Sequence, residues 1–176
     1  MANKEALREL QGRLAERLQA ARDVDRPAGW LAVESGGHGF LFPLAEAGEI
    51  FQGAGVMPVP HSRAWFLGVA NLRGTLAGVV DLAGFLGLRD QVPAAAREHS
   101  QLVAFNPALD INAALLVDRL AGLRNQDQLG VEPGVEGVHP DYVGRSLRDE
   151  SGRVWQELRL SVLARDERFL QISTLS

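Results

Sequence analysis

From Trp30 onward the chain is cut into short apolar runs separated by turn-forming residues: WLAVE, GFLFPL, GEIFQG, WFLGVANL, LAGVVDL, QLVAF, NAALLVD and VWQELRL. Runs this short suit strands and are too brief for ordinary helices. The 19 glycines in 176 residues provide much of the punctuation between them. The pattern predicts a mainly β fold, a barrel or sandwich of short strands with frequent turns. Ser35-Gly36-Gly37-His38 reads as a hairpin turn, because glycine adopts positive φ without steric cost. Pro58 and Pro60 around Val59 predict an extended connection, since proline restricts both itself and the residue before it. VWQELRL alternates Trp155, Glu157 and Arg159 against Gln156, Leu158 and Leu160, which suits a strand with one exposed face.

The first residues have a different texture. Leu7, Leu10, Leu14, Leu18 and Ala21 recur at helical spacing, Asn3 is placed to cap the start, and Pro27 follows the end. This predicts an amphipathic helix over Asn3 to Arg22 whose narrow leucine stripe rests on its own domain or on a partner. The charges in this segment exclude a signal-peptide core, and the longest apolar stretch, Leu76 to Leu88, is broken by Asp81 and too short to span a membrane. With no cysteine, disulfides and thiolate metal sites are excluded and a cytoplasmic chain is expected. A net charge of −4, from 18 basic and 22 acidic side chains without a basic run, argues against nucleic acid.

A faint echo links Val80-Asp81-Leu82-Ala83-Gly84 to Val117-Asp118-Arg119-Leu120-Ala121-Gly122, as two related β lobes would produce. The polar segment Arg89 to Ser100 between them reads as the lobe-to-lobe connection, and Asn125 to Gly144 as a second irregular zone. Asp81 and Asp118 could form an acid–base pair if the lobes faced each other. The aspartic dyad, however, sits in Asp-Thr-Gly or Asp-Ser-Gly turns, and here Leu82 and Arg119 follow the acids. The plainer expectation is that each Asp ends a strand, with Asp81 capping a short helix over Leu82 to Leu88. His38, His61, His99 and His139 lack metal-ligand spacing, and no Gly-x-Ser-x-Gly elbow or phosphate loop is present. The residues therefore predict no catalytic, metal or cofactor site.

In order along the chain, FPLAEAGEI, PVPHSRAWFLGVANLRGTL, VVDLAGFLGL and ALLVD resemble the CheW family of chemotaxis coupling proteins over Trp30 to about Ile172. The form GVANLRG…DLAGFLG, with the long N-terminal extension, is most similar to the PilI branch, which serves type IV pilus systems. The resemblance implies two five-stranded SH3-like β-barrels at 28–174, joined near 89–100, after a helical segment at 1–26. It also implies a non-catalytic adaptor without cofactors. Its partners would be the cytoplasmic tip of a chemoreceptor and the regulatory domain of a CheA-like histidine kinase, and it would be recruited to membrane-bound receptor complexes without inserting in the membrane. Twitching motility is the implied output. The alternatives are flagellar chemotaxis, a small-ligand-binding double barrel and, last, a hydrolase using the two aspartates.

By the same resemblance, Glu49, Asn71 and Arg73 belong to a receptor-facing groove between the lobes. Arg73 has two readings of its own, since a guanidinium can pin strands by pairing with Glu49 or can meet a partner's acid. Asn71 is expected to brace a turn, and Gly74 to supply a special backbone angle or a bulge. The chain departs from the family where Gly78 replaces a common proline and where Ala47 and Gly48 fill an apolar position before Glu49.

Overall fold

A computed structural model describes residues 2–23, 29–134 and 137–175. Helix α1 (Ala2–Asp23) matches the leucine period. Asn3 lies inside it instead of capping it, because helical geometry already begins at Ala2. The expected boundary near residue 26, with Pro27, lies outside the described residues, as do the side chains of Leu18 and Ala21.

The strands that follow are β1 (Trp30–Ser35), β2 (His38–Pro43), β3 (Ala47–Gln52), β4 (Phe66–Leu72), β5 (Thr75–Asp81), β6 (Gln101–Phe105), β7 (Ala113–Val117), β8 (Arg119–Arg124), β9 (Leu129–Val131), β10 (Val143–Asp149) and β11 (Val154–Leu158). Short helices α2 (Leu82–Phe85) and α3 (Ala94–His99) lie between β5 and β6, and α4 (Leu160–Leu163) and α5 (Glu167–Leu170) follow β11. A six-stranded sheet has the order β8-β1-β2-β11-β10-β9, and a five-stranded sheet the order β3-β6-β7-β5-β4. The sixth strand of the larger sheet is the three-residue β9 at its edge.

The second sheet is thus inserted between β2 and β8 of the first. This corrects the expectation of consecutive lobes. Residues 89–100 do not join them; they carry the chain from β5, on one side of β7, to β6 on the other. Because β5 runs parallel to β7, with Asp81 opposite Leu116, the chain needs a crossover within the same sheet, and the polar segment with α3 provides part of it. The echo around Asp81 and Asp118 accordingly marks the ends of adjacent parallel strands in one sheet, not two lobes.

Side-chain alternation divides the interior into three packed groups. In β1, Leu31 and Val33 face a core shared by both sheets, whereas Trp30 and Ala32 face a smaller cluster with Leu41, Leu147 and Trp155. In β7, Leu115 and Val117 join the shared core, and Ala114 and Leu116 a cluster private to the second sheet. Central strands buried on both faces carry no polar alternation, which is why QLVAF and AALLV read as continuous apolar runs. The half-exposed reading of VWQELRL fails for the same reason. Trp155 and Leu158 are both buried, and buried Glu157 accepts a hydrogen bond of 2.7 Å from the Trp30 indole nitrogen.

Two glycine sites fix the chain path. Gly36 and Gly37, with φ of 58° and 80°, form the two-residue turn between β1 and β2. At Gly68, φ is 138° and an added Cβ would fall 2.0 Å from the Met57 carbonyl oxygen. Met57 and Val69 exchange backbone hydrogen bonds of 2.7 and 2.9 Å there, so the proline-containing segment lies flat against β4 only because no side chain intervenes.

Two carboxylates couple this fold to pH. The Glu34 pKa is lowered from 4.5 to about 2, foremost by its hydrogen bond from Arg119, its cross-strand partner on β8; Arg153 also bonds it. Asp149 is lowered from 3.8 to about 2 by hydrogen bonds from Ser151 and then Trp155. Both groups are more acidic folded than unfolded, so their contribution is present above the unfolded values and is lost as pH falls through the folded ones. Unfolding midpoints measured against pH should therefore hold steady near neutrality and decline between about pH 4.5 and about pH 2. Packing is tested separately: Leu115→Ala, in the shared core, should cost about 2–5 kcal/mol in urea unfolding, and Leu76→Ala, at an exposed position of β5, within about 0.5 kcal/mol of zero.

Candidate interaction site

Arg73 occupies the first position of the two-residue turn between β4 and β5. Leu72 pairs with Thr75, and Arg73 and Gly74 have φ of 50° and 84°. Successive positive φ values define the mirror-image turn that matches strand twist. Gly74 takes this region freely, whereas Arg73 is held there at some cost. The brace is local: the Gly74 N–H donates to the Asn71 side-chain oxygen at 2.8 Å.

From this turn the Arg73 guanidinium reaches Glu49 on β3, with Nη2 2.5 Å from Oε1. Their side chains are 76% and 43% exposed. An ion pair this open to water adds at most about 1 kcal/mol to stability, so both charges can be redirected to a partner at small expense. Beside them is a cleft of about 300 Å³, floored by Phe51, Leu72, Ala77 and Ala113. Its lining comes from the second sheet and the segment before β7. Arg73 and Glu49 thus flank an apolar cleft at one end of that sheet, instead of a groove between lobes.

The two aspartates meet at the far end of β5, about 20 Å away by strand rise. Arg89 joins them. Its Nη2 and Nε bond the Asp81 carboxylate at 2.6 and 3.1 Å, and its Nη1 bonds Asp118 at 2.8 and 3.0 Å. Asp118 also accepts from the Gly36 N–H at 2.9 Å. Hydrogen bonding to Asp81 is the main reason the Arg89 pKa is raised, with Asp118 adding to it. One guanidinium therefore ties β5, the end of β7 and the β1–β2 turn of the other sheet into a strut. This corrects the cap assigned to Asp81: it sits at the N-cap position of α2, which spans only Leu82–Phe85, but its side chain makes no capping bond. The bidentate arginine takes up both oxygens instead. An acid–base pair needs one carboxyl free to exchange a proton with substrate, and neither oxygen pair here is arranged for it.

Six singled-out residues thus fall into two groups. Glu49, Asn71, Arg73 and Gly74 lie together at one end of the second sheet, and Asp81 and Asp118 are brought together at the other. Arg89 was missed because nothing in the spacing of RDQVPAAAREHS distinguishes it from a solvated arginine. Glu46 was missed likewise; it bonds the Ser161 backbone N–H at 3.0 Å and its hydroxyl at 3.1 Å, tying α4 to the β2–β3 turn. Among the described residues, no group of three or more His, Cys, Asp or Glu side chains could hold a metal ion, and no helix is long and apolar enough to cross a membrane.

The strut makes a stability prediction. Arg89→Leu leaves buried Asp81 facing Asp118 without a cation and should cost about 3–5 kcal/mol in chemical unfolding. Adding Asp81→Asn and Asp118→Asn should recover part of that loss.

Comparison with known proteins places this geometry. The chain is 33% identical over 118 residues to Protein PilI of Pseudomonas aeruginosa, covering 64% of this chain and 61% of that one. It is 35% identical over 65 residues to a probable chemotaxis protein CheW of Rhizobium etli, covering 37% and 42%. The matches thus span about six-tenths or less of these relatives' own lengths. The scaffolding protein TtCheW from Thermoanaerobacter tengcongensis superposes with a TM-score of 0.62 at 16% identity, over 75% of this chain and 88% of that one, and so shares the fold. The CheW-like domain family matches residues 29–168: with its two sheets, inserted topology and full run of strands inside that span, the chain belongs to the CheW-like family.

Proposed function

We propose that the chain is a non-catalytic adaptor that couples a methyl-accepting type of chemoreceptor to a CheA-like histidine kinase, in a pathway controlling type IV pili. The observation that carries this reading is the exposed Arg73–Glu49 pair beside an apolar cleft, in a chain whose Asp81 and Asp118 are committed to a strut. A protein of this kind acts by presenting surface. A helical receptor tip would set apolar side chains into such a cleft and charged ones against the rim. The pilus assignment is supported by the similarity to PilI, and the receptor and kinase roles by family membership.

Calorimetric titration of the purified chain with a receptor-tip fragment and with a kinase regulatory domain should give binding at tens of micromolar or tighter; no binding to either overturns the adaptor reading. Arg73→Glu should weaken receptor-tip binding about tenfold or more, the usual cost of placing a like charge at a recognition pair. The circular-dichroism spectrum should stay unchanged and the melting temperature should fall by only about 2–4 °C, because the pair is solvent-exposed. Loss of the folded spectrum would make Arg73 a structural residue instead. A strain lacking the chain should lose twitching and keep swimming; the reverse would assign it to flagellar chemotaxis.

A further inference from the structure

Helix α1 lies outside residues 29–168, which match the family, and three of its leucines are exposed. Leu7, Leu10 and Leu14 are 58%, 57% and 52% exposed. Most helical stability in proteins comes from packing an apolar face, and a row of exposed leucines along this 22-residue helix marks an interaction surface. The stripe is narrow, with apolar residues at spacings of three and four only, which is the width of a seam against one other helix.

Its rims identify the occupant. At 3.6 residues per turn, Lys4 borders the stripe on one side, with Arg8 farther round, and Arg13 borders it on the other. Glu5 and Glu9 fall on the opposite face, and Glu9 draws on Arg13 at 3.2 Å through a fully solvated i,i+4 pair. Both rims are therefore basic. A second copy of the helix would set like charges together in either orientation, since parallel pairing opposes one rim to the other and antiparallel pairing opposes each rim to itself. A partner with acidic rims suffers neither penalty. The stripe also lacks the Trp and Phe side chains and the broad apolar face of helices that settle on lipid.

We propose that α1 is a second docking element, seating its leucines on an acid-flanked amphipathic helix of a partner polypeptide. The proposal does not depend on the receptor and kinase assignments above. It is tested with two synthetic peptides that share one leucine seam, one flanked by Glu and the other by Lys, each titrated with the full-length chain up to about 1 mM and followed by fluorescence anisotropy. The Glu-flanked peptide should bind at least about tenfold more tightly than the Lys-flanked one, a difference that shrinks with added salt. Leu10→Asp should abolish the binding, and Glu5→Gln, on the far face, should leave it unchanged. The double variant Lys4→Glu with Arg13→Glu should reverse the preference. Equal affinity for both peptides, binding to neither, or no reversal overturns the proposal. So does Leu10-dependent binding to vesicles of equimolar phosphatidylcholine and phosphatidylglycerol without discrimination between the peptides, or concentration-dependent self-association abolished by Leu10→Asp.

Discussion

Burial of the central strands on both faces is the constraint from which the rest of the structure follows. Leu31 and Val33 of β1, Val103 and Phe105 of β6, and Leu115 and Val117 of β7 all point into one shared core. Their sequence neighbours point into clusters private to one sheet or the other. A one-residue slip in any of these strands would exchange the two sets, and the sets differ in size: Trp30 and Ala32 cannot fill the places of Leu31 and Val33. Register is therefore fixed by volume as well as by apolarity. That register carries Arg73 to the outer end of β5 and Asp81 to the inner end, so the core determines which charges meet solvent.

The same chemistry then carries opposite energetic weight at those two ends. At the inner end the Arg89 guanidinium is 13% exposed and Asp81 3%. Removing one partner there strands the other in a poorly solvated place. At the outer end Arg73 and Glu49 are open to water and nearly neutral to folding. A surface that must recognise another protein benefits from charges whose loss does not unfold the chain. The contrast in burial, more than the identity of the residues, separates the strut from the exposed pair proposed for recognition.

Local features were legible in the sequence, and long-range ones were not. The Gly36-Gly37 turn, the leucine period of α1 and the strand-length runs depend on neighbours a few residues apart, and each can be read from backbone preference and periodicity. The insertion of one sheet into the other depends on β8 pairing with β1 and β11 with β2, contacts across most of the chain that no local pattern encodes. Asp81 shows the limit most clearly. Its position before Leu82-Ala83-Gly84-Phe85 predicts a cap, yet a guanidinium eight residues away outcompetes the helix N–H groups for its oxygens. Two parallel bonds between opposite charges exceed a carboxylate's bond to a neutral helix N–H in strength. Arg73, by contrast, was singled out by its motif, while its position in the turn became apparent only from its φ and from the Leu72–Thr75 pairing.

Whether the Arg73–Glu49 pair exists for recognition or for structure is decided by exchanging its charges. In the double variant Arg73→Glu with Glu49→Arg the intramolecular attraction is restored with its direction reversed, so folding stability is preserved whichever role the pair plays. Calorimetric titration of this variant with the receptor-tip fragment is the most direct measurement. The account predicts that binding stays at least about tenfold weaker than for the native chain, because the partner's charges now meet the wrong sign. Full recovery of native affinity would contradict it and leave the pair a purely structural clasp.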